Sequence, residues 1–253
     1  MYRFYQVLAA THSPHKALAE STPSAAMLGG IFMEAAVAIK LGFTPWMPDG
    51  LEWSQDDINK YDLQAARVAS WFGEFEALNL EYQPQLYWPE AYPLQLAEGH
   101  PDFMATGNWL IDLKTTDYPN VELLDKLLHS IQMCAYMAAY ERMHNAAPTL
   151  SIILASRLER PDPVKFNKDG SVSLSGQNAD SASLRDAVEL MGEKADDRHW
   201  AMVYKAPVWN PLMVGSLTSD ECHELAKVGA IFLDAGLAIL ETGLSESVFR
   251  PYT

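Results

Sequence analysis

Residues 99–116 read Gly99-His100-Pro101-Asp102, then nine residues, then Asp112-Leu113-Lys114-Thr115-Thr116. Side chains alternate faces along a strand, so Asp112 and Lys114 point one way while Ile111, Leu113 and Thr115 point the other. One face is chemical and the other is core. Between the carboxylates lies Thr106-Gly107-Asn108, a turn signal with a glycine free to adopt a left-handed conformation. A hairpin centred on Gly107 sets Asp102 directly across from Asp112. Two like charges held that close require a cation.

Upstream, residues 24–41 predict a helix with Ser24 as N-cap behind Pro23 and Met27, Ile31, Ala35 and Ala38 at helical spacing. Glu34 is the only charge between Ala25 and Ile39. An unpaired buried charge is costly, so Glu34 belongs either to an ion pair or to a metal site. Downstream, Val121 to Met143 predicts a strong helix on which Asp125, His129, Gln132, Tyr136 and Tyr140 share one face. Gln132 and Tyr136 are site candidates; His129 reads as a surface residue and Tyr140 as packing. His100, beside Pro101, is given no catalytic role.

Taken in order, Gly30-x-x-x-Glu34, Gly99-x-x-Asp102, Asp112-x-Lys114-Thr115-Thr116 and Gln132-x-x-x-Tyr136 resemble the motifs of the PD-(D/E)XK nuclease superfamily, in its RecB, Cas4 and phage-exonuclease branch. The resemblance spans residues 30–136; the ends match no pattern. It implies an α/β fold with a restriction-endonuclease-like core of helix, three-strand meander, helix and strand, with additional N- and C-terminal helices. Residues 1–253 are expected as one domain, with a core over about 24–156 and a C-terminal elaboration over about 157–253. The implied activity is metal-dependent DNA hydrolysis in recombination, repair or phage DNA processing, with an exonuclease favoured. An endonuclease with the same site and a noncatalytic binding module on the same scaffold are the alternatives.

Phosphodiester hydrolysis needs an activated water and stabilisation of charge on the phosphoryl and leaving oxygens, which Mg²⁺ or Mn²⁺ supplies. Hard cations prefer oxygen, so Glu34, Asp102, Asp112 and the carbonyl of Leu113 form a sensible ligand set. Lys114 cannot ligate while protonated, and the resemblance makes it the group that orients water and touches phosphate. Thr115 and Thr116 suit phosphate contact, Gln132 a water or the DNA backbone, and Tyr136 substrate. Some relatives in this branch carry an iron-sulfur cluster on four cysteines; Cys134 and Cys222 are the only cysteines here, so no cluster is expected.

The chain has 253 residues, is 49% hydrophobic and carries a net charge of −15. That length and apolar content suffice for a substantial core. The acidity argues against a broad phosphate-binding surface and narrows the nucleic-acid reading to a local groove, best placed at Arg157, Arg160, Lys165 and Lys168. DNA remains the expected partner, with a homo-oligomer or a recombination or replication protein as further partners. Met1 to Ala10 is too weak for a signal peptide and no stretch reaches membrane-spanning length, so the expected location is cytoplasmic, or the host cytoplasm for a phage protein. The remaining expectations are a helix over 54–78, a strand over 81–88 disturbed by Pro84, strands over 95–105, 108–116 and 149–156, and a hairpin or mobile excursion over 159–181. An added strand over 201–204 and a closing helix over 219–242 capped by Ser219 or Asp220 complete them.

Overall fold

The computed structural model describes residues 24–48, 51–73, 79–87 and 98–241. Helix α1, Ala25–Lys40, starts where expected, the Ser24 hydroxyl accepting the Met27 N–H at 3.3 Å. Its buried stripe runs through Met33, Ala35, Ala36, Val37 and Ala38, whereas Met27 is exposed. The helix expected over 54–78 is two, α2 (Gln55–Asn59) and α3 (Asp62–Gly73), with 74–78 outside the described residues. Between them the chain turns at Lys60 and Tyr61, where the Tyr61 hydroxyl lies against Gly29. A Cβ on Gly29 would stand 3.0 Å from that hydroxyl.

A five-stranded sheet carries the core. In chain order its strands are β1 (Leu80–Tyr82), β4 (Phe103–Ala105), β5 (Trp109–Thr116), β6 (Thr149–Ser156) and β7 (Leu212–Leu217), and they lie side by side in that order. β1, β4 and β5 form an antiparallel meander, β6 runs parallel to β5, and β7 closes the far edge antiparallel. Two strands were expected longer. The 81–88 segment breaks after Tyr82 because Gln83 turns left-handed at φ 52°, and Leu86–Tyr87 becomes β2 of a separate two-stranded ladder. The 95–105 segment likewise divides: Glu98–Gly99, as β3, pairs with β2, and β4 starts only at Phe103. Residues 88 and 95–97 lie outside the described chain.

The helix expected over 121–143 is also two, α4 (Val121–Leu128) and α5 (Ile131–His144). Ser130 caps the second, its hydroxyl accepting from Met133 N at 3.4 Å. This break takes Asp125 and His129 off the face that carries Gln132 and Tyr136. The strand expected over 201–204 is instead part of helix α7, Asp197–Lys205, whose N-terminus Asp196 and His199 cap reciprocally. Helix α6, Ser181–Met191, and strand β7 lie in sequence that gave no expectation. Helix α8, Ser219–Glu241, is capped one residue earlier than expected, by Thr218, which exchanges hydrogen bonds with Glu221.

Each face of the sheet buries its own cluster. Ile111, Leu113 and Ile153 pack under α1, α2 and α3 with Met33, Val37, Val68 and Phe72. Leu110, Leu150, Ile152 and Leu154 pack under α4, α5 and α8 with Leu128, Met133, Met137 and Cys222. A third cluster joins Val172, Leu184, Val188 and Val203 beneath α6 and α7. The 159–181 excursion holds a bridge from Phe166 to Val172 around Gly170. Among the described residues no helix is long and apolar enough to cross a membrane.

Candidate active site

The β4–β5 register pairs Phe103 with Ile111 and Ala105 with Trp109, turning through Gly107 and Asn108, both left-handed. One further step along that register sets Asp102 opposite Asp112, as expected. Both are buried, Asp112 to 1% exposure. Asp102 Oδ2 accepts the Leu113 N–H at 2.5 Å, which fixes its carboxylate beside β5. Lys114 Nζ lies in ion-pair contact with Asp112 Oδ2. Lys114 acts on this buried carboxylate through both charge and a hydrogen bond.

Glu34 comes to this neighbourhood from α1 on the other face. Its Oε1 accepts from the Tyr82 hydroxyl at 2.9 Å and from Gln83 Nε2 at 2.5 Å. Among the described residues it forms no ion pair, so the structural salt bridge that competes with a site role is absent there. Tyr82 in turn accepts the Trp46 N–H at 3.1 Å. Gln83 has a second attachment, its backbone N–H donating to the Asp102 carbonyl at 2.9 Å. A left-handed residue other than glycine costs of order 1 to 3 kcal/mol and persists where its surroundings hold it. Here the holding groups are the two acids' own residues. Neither Tyr82 nor Gln83 is among the sequence candidates; the available signal was a glutamine before Pro84 at a strand break.

Gln132 Nε2 donates to the Tyr136 hydroxyl at 3.0 Å, and that hydroxyl donates to the His100 carbonyl at 3.0 Å. The Tyr136 ring fills the space above Gly99, where a Cβ would stand 2.5 Å from Cε1. Gly99 is therefore needed for close approach, and Tyr136 pins the loop leading to Asp102. Thr115 faces Gly30, whose ideal Cβ lies 3.6 Å from the threonine Oγ1, and Thr116 is half-buried with its carbonyl accepting Arg157 N–H. Of the four expected groove cations, Arg157 is tied to Asp117 at 3.0 Å and Lys165 to the Gly176 carbonyl. Tyr140 is buried and bonded to Asn108, and His129 is exposed, as expected for both.

Charge is unbalanced at this place. Burial pushes the Asp102 carboxyl well above its usual range, and Asp112 and Glu34 push it further. Burial also raises Asp112, outweighing the pull of Lys114, and raises Glu34 against the lowering effect of Tyr82 and Gln83. Burial alone would lower the Lys114 ammonium, but Asp112 and Asp102 hold it up, so it stays protonated. Burial lifts the Tyr136 phenol to about 12, which leaves it a neutral hydrogen-bond donor. Three acids thus share one lysine.

Among the described residues, no three His, Cys, Asp or Glu side chains stand converged as a ready-made metal cage. Asp102 is turned onto Leu113 and Lys114 covers Asp112. The chemistry of the donors nonetheless fits a hard divalent cation: the three side chains are carboxylates, two of them buried, and the surplus negative charge is what such an ion offsets. No family model matches the chain, and no curated protein matches it. One solved structure, from Eubacterium rectale and described as "Putative exonuclease", is similar in overall path over 96% of this chain and 76% of its own, with 12% identity and a TM-score of 0.49.

Proposed function

We propose that this chain is a Mg²⁺- or Mn²⁺-dependent deoxyribonuclease of the PD-(D/E)XK type, acting as an exonuclease on DNA in the cytoplasm. The observation that supports it is the gathering of buried Asp102 and Asp112 and half-buried Glu34 around one protonated lysine, which leaves an electrostatic deficit of the kind a divalent cation fills. Glu34, Asp102, Asp112 and the Leu113 carbonyl would hold the ion. An ion held there would supply Lewis-acid chemistry, making water a stronger nucleophile near neutral pH and offsetting charge on the phosphoryl oxygens.

The chain's own residues supply the rest. Lys114 carries a fixed positive charge to a nonbridging phosphate oxygen and donates a hydrogen bond to the attacking water. Its link to Asp112 keeps it in place before substrate arrives. Tyr136 anchors the loop through His100, and Gln132, whose amide bonds Tyr136 with one N–H, offers its second as a neutral donor to the backbone of the bound strand. Thr115 and Thr116 continue the same strand past Lys114 and suit the next phosphate.

The order of elements favours the restriction-endonuclease-like core: α1, the β1–β4–β5 meander, α4 and α5, then β6, with residues 157 onward as an elaboration of one domain. The test is digestion of end-labelled linear DNA beside a closed circle, with Mg²⁺ or with chelator. An exonuclease shortens the linear DNA only with metal and leaves the circle intact. Nicking or linearising the circle would make it an endonuclease, and no cleavage with any divalent ion would leave a binding module.

A further inference from the structure

The acids Glu34 and Asp102 are joined by one residue, Gln83, which has neither a charge nor a place among the recognised motifs. Its side-chain amide reaches Glu34 Oε1 and its backbone N–H reaches the Asp102 carbonyl. It does so in a left-handed conformation, φ 52°, at a position preceding proline, where the chain favours extended geometry. The neighbouring Tyr82 hydroxyl donates to the same Oε1 and is itself held by the Trp46 N–H. Two neutral donors on one carboxylate oxygen saturate it and fix the plane of the group. They leave Oε2 as the oxygen free to bind a cation; among the described residues no donor engages it.

We infer that Tyr82 and Gln83 are positioning residues that orient Glu34 as a one-oxygen ligand through Oε2, with Gln83 coupling its placement to that of Asp102. The inference rests on the reading of Glu34 and Asp102 as cation ligands. Outer hydrogen bonds of this kind orient ligands and tune a metal site by about 10- to 100-fold in affinity. Neutral donors are the suitable choice. A lysine or arginine here would fill the charge deficit that an ion must fill.

The left-handed backbone provides the decisive variant. Gln83→Gly removes the amide while suiting the backbone better than glutamine does, so the melting temperature holds or rises. Gln83→Asn keeps a residue that tolerates the left-handed region but is one methylene too short to reach Glu34. Calorimetric titration with Mn²⁺ alone, beside thermal melting in chelator, is the measurement. Gln83→Gly, Gln83→Asn and Tyr82→Phe are each expected to weaken Mn²⁺ binding by roughly 10-fold, the two Gln83 variants without loss of melting temperature. In a Glu34→Gln background the same changes should produce no further loss.

Three results separate the possibilities. If Glu34→Gln weakens Mn²⁺ binding but the Gln83 and Tyr82 variants bind as wild type, the positioning role falls and the metal reading stands. If Gln83→Gly loses Mn²⁺ affinity only in proportion to a fallen melting temperature, Gln83 is structural and the inference is overturned. If wild type binds no Mn²⁺, the metal reading itself fails and carries the inference with it.

Discussion

Asp102→Asn isolates the electrostatic cost stored at the site. Asparagine keeps an oxygen to accept the Leu113 N–H and keeps the side chain's volume, so what it removes is the capacity to ionise. In the native protein burial raises the Asp102 pKa well above its ordinary 3.8, with Asp112 and Glu34 adding to the shift. Below about pH 4 both native and unfolded chains carry the proton and no cost arises. As pH rises toward the native value, the unfolded chain ionises while the native one retains its proton. Stability therefore falls with rising pH, by of order 1 kcal/mol per pH unit of the difference. Asparagine escapes that loss. At pH 8 in chelator the variant should be more stable than wild type and melt higher, by roughly 2 to 4 °C for each kcal/mol gained in a chain of this size. With Mn²⁺ the order reverses: at a hundred times its dissociation constant an ion that binds only the native state adds about 3 kcal/mol to wild type, and the variant gains much less. Differential scanning fluorimetry between pH 5 and 8, with chelator and with Mn²⁺, reads both. A variant that melts below wild type in chelator at pH 8 would make Asp102 a structural acceptor that carries no electrostatic cost.

Lys114→Ala and Asp112→Ala should each reduce DNA cleavage by at least about 10²-fold while remaining folded by circular dichroism, because one supplies charge to phosphate and the other holds the ion. DNA binding in Ca²⁺ should weaken with salt at a log–log slope shallower than about −3 by fluorescence anisotropy, since Arg157 and Lys165 already have partners and few cations face phosphate. Gly229→Ala should cost about 3 kcal/mol or more in denaturant unfolding. A Cβ there would stand 2.0 Å from the Cys134 carbonyl oxygen, a backbone atom that yields only if α5 and α8 separate.

The hairpin was legible because two kinds of signal agreed on it. Alternation along 109–116 set the faces, and Gly107-Asn108 set the turn, so the Asp102–Asp112 pairing followed from counting. Ser24 marked a helix start for the same reason: a capping side chain ahead of an apolar run. The breaks were less visible. Ser130 caps α5 in the middle of what reads as one continuous helical period, and Tyr61 turns the chain with neither glycine nor proline, through a contact with Gly29 that sequence separation conceals. Ala201–Tyr204 is a short apolar run that suits a strand, but the Asp196 cap and burial of His199 and Val203 favour a helix.

Within the candidate site, charged groups were legible and their neutral partners were not. Asp102, Asp112, Lys114 and Glu34 stand out as charges in apolar surroundings. Tyr82 and Gln83 carry no such contrast, and their role depends on a left-handed backbone that sequence propensity disfavours at a residue before proline. Gly99 likewise reads as part of a motif, while its physical requirement, room for the Tyr136 ring, depends on a helix more than thirty residues downstream.

The most direct test is an anomalous difference map from crystals of the wild-type protein soaked in Mn²⁺. The expected map has a peak bonded to Asp112 Oδ2 and to at least one oxygen of Asp102 or Glu34, at about 2.0 to 2.6 Å, with Lys114 moved off Asp112. A map with no peak among these carboxylates at saturating Mn²⁺, or with Lys114 still covering Asp112 while the ion binds elsewhere, would contradict it.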